Sequence, residues 1–597
     1  MSTIDEQKAL EASRNTRYQW ISCLFNILLL LAHGIIFYWI PRAIRLERYV
    51  KSNRFKPIFR IFDIWQSLNF KFSIKIRHKQ YFFKPSMLLL FLCFILLNGK
   101  FSYIETSDLD YQSKNLIIAK RCARVGLGSL PAMFLLIAKG DFVNGIFGIS
   151  NDRGYFFHKW FSNMMFVLVS AHVIIMCYYW SQGLISPTYP KSAYGIIGYV
   201  TYVILQFGNN RYLRKWFYEG IMINHRVQSF IMLLVVFLHN DKAKAMVVLG
   251  VHLLVLDKVV NRIIGIVHYK KSPTKGYSRF EILNDEYLKV SIPIKTHAKN
   301  FNKWFNMLNY KYGSWKPGSH IYLNVRKIDF FQHHPFCIAS LPEDKEIVLI
   351  IKTQKGFTKK LHNKVEEVKT KQLNGDIKEP KKSKSAKFAK VEDPNIVKFK
   401  TMFRGPSGAK FHPLTTFDGV GFIIEDLGAS FALPICLDLL QNIRVKNESK
   451  ELLFRPTNPI IKLYWSIETQ ELVKFYDYII DKLKPFISSG HLTIDIFLKE
   501  MEMKDIETNT VINKDISVIE TTKSESLLKY NNEMEISNII FELVSLMKPE
   551  DPKNFKSLGI LSCGHNNFGD KIEYEIQKYR WVKDAPNLYF YNESFNT

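Results

Sequence analysis

The chain has 597 residues and a formal net charge of +28, from 82 Lys and Arg against 54 Asp and Glu. So basic a balance raises nucleic-acid binding, but the bases lie in loops beside apolar runs and in one polar insertion. No nucleic-acid-binding signature accompanies them, and that class is excluded. Seven cysteines are scattered, and Cys23, Cys93 and Cys177 lie inside apolar runs, which excludes a paired disulfide framework and a Cys-x-x-Cys metal site.

Residues Met1–Arg17 are polar and mixed in charge, unlike a removable signal peptide, and read as a tail. Seven apolar stretches long enough to cross roughly 30 Å of hydrocarbon follow. They are 18–40, 81–98, 116–138, 156–180, 193–207, 221–239 and 245–267, and the third is interrupted by Lys120, Arg121 and Arg124. The loop 41–80 carries eleven Lys and Arg against two acids, and 209–220 carries Arg211, Arg214 and Lys215. Both loops are expected in the cytosol, which puts the N-terminus outside and the C-terminal half in the cytosol. The three bases of the third stretch run against this orientation.

The fourth stretch holds His158 and His172 and the sixth holds His225 and His239, each pair fourteen residues apart. Fourteen residues are nearly four helical turns, so both imidazoles of a pair share one face, roughly 21 Å apart along the axis. The two stretches run parallel. His158 is then level with His225 near the cytosolic side, and His172 with His239 near the outer side. Two levels of facing neutral imidazoles form the ligand set for two bis-histidine b-type haems, stepped across the bilayer. Arg153, Lys159, Arg214 and Arg226 flank the inner level and suit haem propionates, although a cytosolic loop would carry such bases anyway. His33 and His252 lack partners and read as packing residues.

From Val267 the pattern changes to short β-like runs and helical stretches. Trp315-Lys316-Pro317-Gly318-Ser319-His320 turns into the β-like Ile321–Val325, followed by His334-Pro335-Phe336-Cys337-Ile338-Ala339-Ser340. Ile350-Ile351-Lys352 ends a strand, and Gly356-Phe357-Thr358 forms a turn in which a glycine exposes backbone N–H groups beside cations, as a diphosphate requires. Gly405-Pro406-Ser407-Gly408 makes another turn. Beyond it Gly421–Ile424, Phe431–Leu440 and Ile461–Trp465 alternate as strand, helix and strand, and Cys563-Gly564 and Glu593-Ser594-Phe595 stand near the end. Lys364–Lys400 and Lys504–Glu535 read as solvated insertions.

With the two histidine pairs and Phe157-His158-Lys159-Trp160-Phe161-Ser162 ahead of it, this order of boxes resembles the ferric reductase/NADPH oxidase superfamily. Within it the chain is most similar to the budding-yeast metalloreductase-like branch named for altered inheritance of mitochondria. The resemblance runs from about Phe156 to the C-terminus. It implies a multi-domain protein: after the tail 1–17, a seven-helix transmembrane haem-binding bundle at 18–267, a cytosolic antiparallel β-barrel FAD domain at 268–415, and a ferredoxin-reductase-like α/β nucleotide-binding domain at 416–597. His334, Pro335, Phe336 and Cys337 match the box lining the flavin, with a thiol in place of the usual hydroxyl. Lys352, Gly356, Phe357 and Thr358 match the turn receiving the FAD diphosphate, and Phe595 the aromatic residue over the flavin. Gly428, Cys563 and Gly564 match the nicotinamide nucleotide site, with His565 where proline is usual.

The implied activity is electron transfer from NADPH through FAD and two b-type haems to a ferric or cupric chelate across the membrane. Two alternatives stay open: dioxygen as acceptor, giving superoxide, or a haem-binding relay or structural subunit. The implied setting is a multi-pass protein of the plasma membrane or endoplasmic reticulum, with lipid and no nucleic acid among its partners.

One turn departs from the family. Where Gly-Gly-x-Gly is expected the chain has Glu425-Asp426-Leu427-Gly428, and only the last glycine remains. A carboxylate about 6 Å from a diphosphate charge repels it by roughly 0.7 kcal/mol in water-like surroundings and about 3 at an effective dielectric near 20. The arrangement is compatible with function if the turn shifts outward, if a cation such as Lys462 screens it, or if the natural donor is not NADPH.

Overall fold

The structure is a computed structural model. It describes residues 3–43, 72–76, 79–83, 85–137, 147–148, 151–208, 211–294, 315–329, 333–374, 395–448, 459–499, 529–531, 534–548, 556–580, 582 and 585–595. The chain forms two compact units, residues 1–40 with 86–261, and residues 41–85 with 262–597.

The first unit is built from α1 (Ile4–Gly34), α2 (Pro85–Tyr103), α3 (Lys114–Gly128), α4 (Leu130–Leu136), α5 (Asn151–Ser181), α6 (Lys191–Gly208), α7 (Arg211–His239) and α8 (Lys244–Lys271), the last running on past its edge. Its burial is inverted relative to a water-soluble bundle: Gln19, Ser22 and Asn26 are fully buried, while Ile174, Phe230 and Leu96 are more than 60% exposed. Lipid accounts for an apolar exterior of this kind. Among the described helices, Ile4–Ala43, Gly154–Ser181 and Gly220–His239 are both long and apolar enough to cross a membrane by themselves.

In this unit three elements differ from the sequence expectation. The expected tail is helical from Ile4, because Thr3 and Glu6 form a reciprocal capping box. The third apolar stretch is two helices, α3 and α4, with Pro131 in the first turn of the second. Helix α7 is broken at Phe217, whose φ of −143° and ψ of 57° are not helical.

The bases that interrupt α3 each find a partner on α1. Arg121, fully buried, donates from Nε to Asn15 Oδ1 and lies 4.6 Å from the Tyr18 ring centre. Arg124 donates to Thr16 Oγ1 at 3.0 Å, and Lys120 Nζ is 3.7 Å from Glu11. Arg14 grips Asp108 with two 2.8 Å bonds, and Arg17 pairs with Glu105.

In the second unit a short hairpin, β1 (Phe72–Ile76) and β2 (Lys79–Phe83), precedes two six-stranded sheets. The first is antiparallel, in the order β6-β5-β8-β3-β4-β7, from β3 (Tyr277–Ile282), β4 (Tyr287–Pro293), β5 (Ser319–Val325), β6 (His334–Cys337), β7 (Glu346–Lys352) and β8 (Ile396–Gly408). Just beyond β6, the Ala339 N–H donates to Val348 O on β7 at 2.8 Å, tying the outer strands. Helix α9 (Phe357–Leu373) follows β7 and plugs Phe357, Leu361 and Val365 into the core. The expected insertion 364–400 is therefore helical as far as Leu373 and strand from Ile396; residues 375–394 lie outside the described residues, as do 504–528 of the second insertion. An apolar spacing at 357, 361 and 365, which falls on one helix face, is the signal that reading missed.

The second sheet is parallel, in the order β12-β11-β10-β9-β13-β14. Its strands are β9 (Gly419–Glu425), β10 (Ile460–Ile467), β11 (Leu492–Leu498), β12 (Lys529–Asn531), β13 (Ser557–His565) and β14 (Asn587–Phe595). Helices α10 (Ala429–Glu448), α11 (Asp477–Ser488), α12 (Ile536–Leu546) and α13 (Asn566–Tyr579) accompany them. Central β9 and β13 are buried almost throughout, as a strand covered on both faces must be.

Candidate functional site

The four histidines of the first unit sit on α5 and α7 and come together as two pairs: His158 and His225 lie near enough for their charges to interact, and so do His172 and His239. Three of the rings are fixed by backbone. Nδ1 of His158 is 3.0 Å from Met133 O, Nδ1 of His172 is 3.1 Å from Ala119 O, and Nδ1 of His239 is 2.7 Å from Lys191 O. A carbonyl only accepts, so each Nδ1 carries the proton and Nε2 keeps its lone pair, the tautomer of an Nε2 metal ligand. The hydrogen bonds described for these rings are made through Nδ1, and Nδ1 of half-buried His225 is itself buried without a partner.

The surroundings suit a large anionic ligand. Arg121 Nη2 and Arg124 Nη1 are buried without a hydrogen bond, on the same helix that supplies Ala119 O. A side chain at Gly195 would put its Cβ 2.7 Å from Cε1 of His239, so the imidazole lies flush against α6. Gly195 escaped the sequence reading, and Arg121 and Arg124 were read only as bases interrupting the third apolar stretch; for Gly195 the available signal was Gly195 and Gly198 at three-residue spacing, both facing α7. Of the expected flanking bases, Lys159 and Arg226 are exposed, and the side chains of Arg153 and Arg214 lie outside the described residues. His33 packs edge-on to Phe157 at 5.2 Å, as a packing residue would.

In the antiparallel sheet the strand order brings His334, Pro335, Phe336 and Cys337 opposite Leu323, Tyr322, Ile321 and His320. His334 stacks on Phe357 at 4.1 Å between ring centres, and Phe336 lies 6.5 Å from the same ring. Gly356 has φ of +81° and open space where a Cβ would stand, and it precedes α9, whose first turn has no side-chain cap. An uncapped helix start behind a glycine is what an incoming phosphate needs. Thr358 does not point its hydroxyl outward: Oγ1 accepts from Gln354 N at 2.8 Å. Lys352 pairs with Glu468 just past β10; burial works against its charge, but the carboxylate holds it above the ordinary lysine range.

At the parallel sheet Gly428, Cys563 and Gly564 converge. A Cβ on Gly428 would meet the Cys563 carbonyl at 2.6 Å, and one on Gly564 would meet Glu425 Oε2 at 3.1 Å. Lys462 does not screen the acidic turn, because it pairs with Glu542; Lys499 does, 3.0 Å from Glu425 and 2.8 Å from Asp426. The Phe595 backbone ends β14 opposite His565, and its side chain lies outside the described residues.

Residues 122–236 match the family model described as the ferric reductase like transmembrane component, and residues 282–410 match the FAD-binding domain. The chain is 21% identical over 452 residues to "Ferric/cupric reductase transmembrane component 2" of Schizosaccharomyces pombe, covering 72% of each. It is 25% identical to that organism's "Ferric reductase transmembrane component 1", over 41% of this chain and 44% of the relative. It is 23% identical to "Probable metalloreductase AIM14" of Candida tropicalis, over 54% and 53%. The chain thus spans about half or less of the second and third relatives. Among solved structures the ferredoxin reductase in carbazole 1,9a-dioxygenase is 14% identical, over 53% of this chain and 68% of that one, with a TM-score of 0.28, a likeness too slight to build on. On its two family matches and its reductase relatives together, the chain is similar to the ferric reductases, membrane oxidoreductases, across residues 122–236 and 282–410.

Proposed function

We propose that the protein carries electrons across a membrane from a flavin on its cytosolic half to a ferric or cupric chelate on the far side. The observation that carries this reading is the pair of facing imidazole levels with Nδ1 donated to backbone and Nε2 left open. His158 with His225, and His172 with His239, would each hold one b-type haem, and Arg121 and Arg124 offer buried donors to its carboxylates. Haem iron, when bound, supplies reversible one-electron chemistry at a potential set by its ligands and their hydrogen bonds. The chain's own part is orientation: Met133, Ala119 and Lys191 fix three ring planes and tautomers, and the surrounding apolar helices keep water away.

FAD would be held by His334–Cys337 along β6 and by the glycine-led start of α9, with Phe357 bracing His334. It supplies the exchange between two-electron and one-electron donors. A metal chelate as acceptor rests on the names of the yeast relatives, since an exposed haem edge accepts chelate and dioxygen alike. The second unit faces the cytosol, and the membrane is the plasma membrane or the endoplasmic reticulum.

The test is a pyridine-haemochrome count on the purified full-length chain with low-temperature electron paramagnetic resonance. Two haems per chain with bis-imidazole signals are expected; one haem per chain, or none, sinks the reading. Chelate reduction and superoxide formation, assayed side by side in vesicles, separate the two acceptors.

A further inference from the structure

In a doubly wound sheet a dinucleotide binds outside the carboxyl ends of the strands, where the strand order reverses. Here that place lies between β9 and β13. Four strands deliver a charged or titratable residue to it: Glu425 ends β9, Glu468 follows β10, Lys499 follows β11 and His565 ends β13. They bind each other. The Lys499 ammonium is 3.0 Å from Glu425, 2.8 Å from Asp426 and 3.8 Å from Glu468. Glu425 Oε2 accepts the His565 N–H at 3.3 Å and lies 2.9 Å from His565 Nδ1. Asp426 accepts the Glu468 N–H at 3.0 Å, and its carbonyl accepts the Trp465 indole at 2.9 Å.

Each element that a diphosphate would use is therefore already employed. His565 stands at the N-cap position of α13 without a side-chain cap, and its N–H is one a bound anion would take at that helix start; Glu425 has it. The ammonium a phosphate would seek is held by two carboxylates. Gly428 and Gly564, whose bare α-carbons let a ligand approach in nucleotide-binding turns, face the Cys563 carbonyl and the Glu425 side chain instead. Asp426 stands at φ of +45°, a left-handed conformation that favours glycine, and its three hydrogen-bonding partners hold it there. Burial pushes its carboxyl up, whereas Glu425, despite burial, is held below the usual carboxylate range by His565 and Lys499. Glu425, Asp426 and His565 would also suit a divalent cation, but Lys499 already lies among them. Glu468 extends the network to Lys352 on β7 of the antiparallel sheet, and nearby Asn284 donates to Glu471 at 2.9 Å.

We propose that this crevice is closed to NADPH and NADH, with Glu425 in the place of a bound anion and Lys499 as its internal counter-ion. The parallel-sheet domain acts as a fixed brace for the flavin domain, joined to it through Glu468 and Lys352. This stands apart from the electron-transfer reading, because its test is equilibrium binding rather than turnover.

The test titrates NADPH against full-length protein in nanodiscs, followed by calorimetry, with flavin content and the dithionite-reduced haem spectrum as checks on folding. Wild type is expected to show no saturable binding up to about 1 mM. The Glu425→Gly/Asp426→Gly variant frees Lys499 and the His565 N–H together and should gain affinity by about a hundredfold, and adding Lys499→Met should remove about tenfold of that gain. Low-micromolar binding by wild type, or no gain in a double variant that keeps its flavin, overturns the proposal. If the double variant loses its flavin, heat stability decides. A closed crevice predicts that NADPH leaves the wild-type melting temperature unmoved and that Lys499→Met lowers it; NADPH protection of wild type, abolished by Lys499→Met, overturns it.

Discussion

Two regions of this molecule gather titratable side chains on parallel elements, and they treat them in opposite ways. On α5 and α7 four imidazoles face one another in pairs, and their Nε2 atoms meet no hydrogen bond among the described residues. At the carboxyl ends of β9, β10, β11 and β13 the charged groups find partners within the chain itself. By residue type the second cluster looks the better ligand set, two carboxylates and an imidazole with ligand atoms within 4.8 Å of one another. By hydrogen bonding the order reverses: beside the imidazoles, His225 Nδ1, Arg121 Nη2 and Arg124 Nη1 are buried without a hydrogen bond, whereas the second cluster is partnered within the chain. Unsatisfied buried polar atoms are costly, so their location is a better guide to a binding site than a count of polar residues.

The strongest way to break this contrast is to remove an imidazole. His239→Ala, or His172→Ala, should abolish the outer haem and leave the inner one, halving the haemochrome value; retention of both haems would show that the pairs are not ligands. Next in size, Phe357→Ala removes the ring that braces His334 and leaves a cavity, a loss of about 3–5 kcal/mol in a chemical melt of the second unit, with flavin content falling alongside. If flavin content is unchanged, the assigned site is wrong.

A third test uses His320 on β5, whose imidazole is pushed down to about 4 by burial and by the Lys410 charge, with Glu593 at 3.8 Å opposing. The unfolded chain takes up this proton near 6.5, the folded chain only near 4, so the unfolded state holds more protons between those values. The stability is complete above pH 6.5 and falls by about 3 kcal/mol as pH drops to 4. His320→Gln should flatten that part of the melting profile, and an unaltered profile would assign the slope elsewhere. The smallest effect is Gly195→Ala, whose methyl would displace the His239 ring and weaken the outer haem by about tenfold, or 1.4 kcal/mol, in competition with apomyoglobin. Equal loss from both levels would detach Gly195 from the outer pair.

The imidazole levels were legible because a fourteen-residue repeat maps directly onto helix turns. Their carbonyl partners were not, since Met133, Ala119 and Lys191 act through backbone, which leaves no mark on residue type. The screening cation was misread for a positional reason: Lys462 lies near the start of β10, far from the carboxyl ends, while Lys499 follows β11 directly. Strand ends are the least legible boundaries in a sequence, and there one residue decides which face of the crevice a side chain reaches. The strand-helix-strand order after Gly405 was readable from alternating apolar runs. The helical start at Ile4 was missed because a polar segment before a span resembles a tail until its partners on α3 are known.

That last pairing bears on how the protein is made. Arg or Lys near the middle of an inserting helix costs about 2.5–3.5 kcal/mol, and α3 carries three such residues, so α3 does not enter a bilayer on its own hydropathy. Helix α1 is synthesised before α3 and carries Glu11, Asn15 and Thr16, the groups that Lys120, Arg121 and Arg124 meet in the finished fold. The pairing predicts a two-helix insertion in which α3 joins α1. Deleting residues 4–17 should leave the 99–113 loop and α3 stranded on one side, a topology error that engineered glycosylation sites would report; normal glycosylation mapping after the deletion would show that α3 enters unaided.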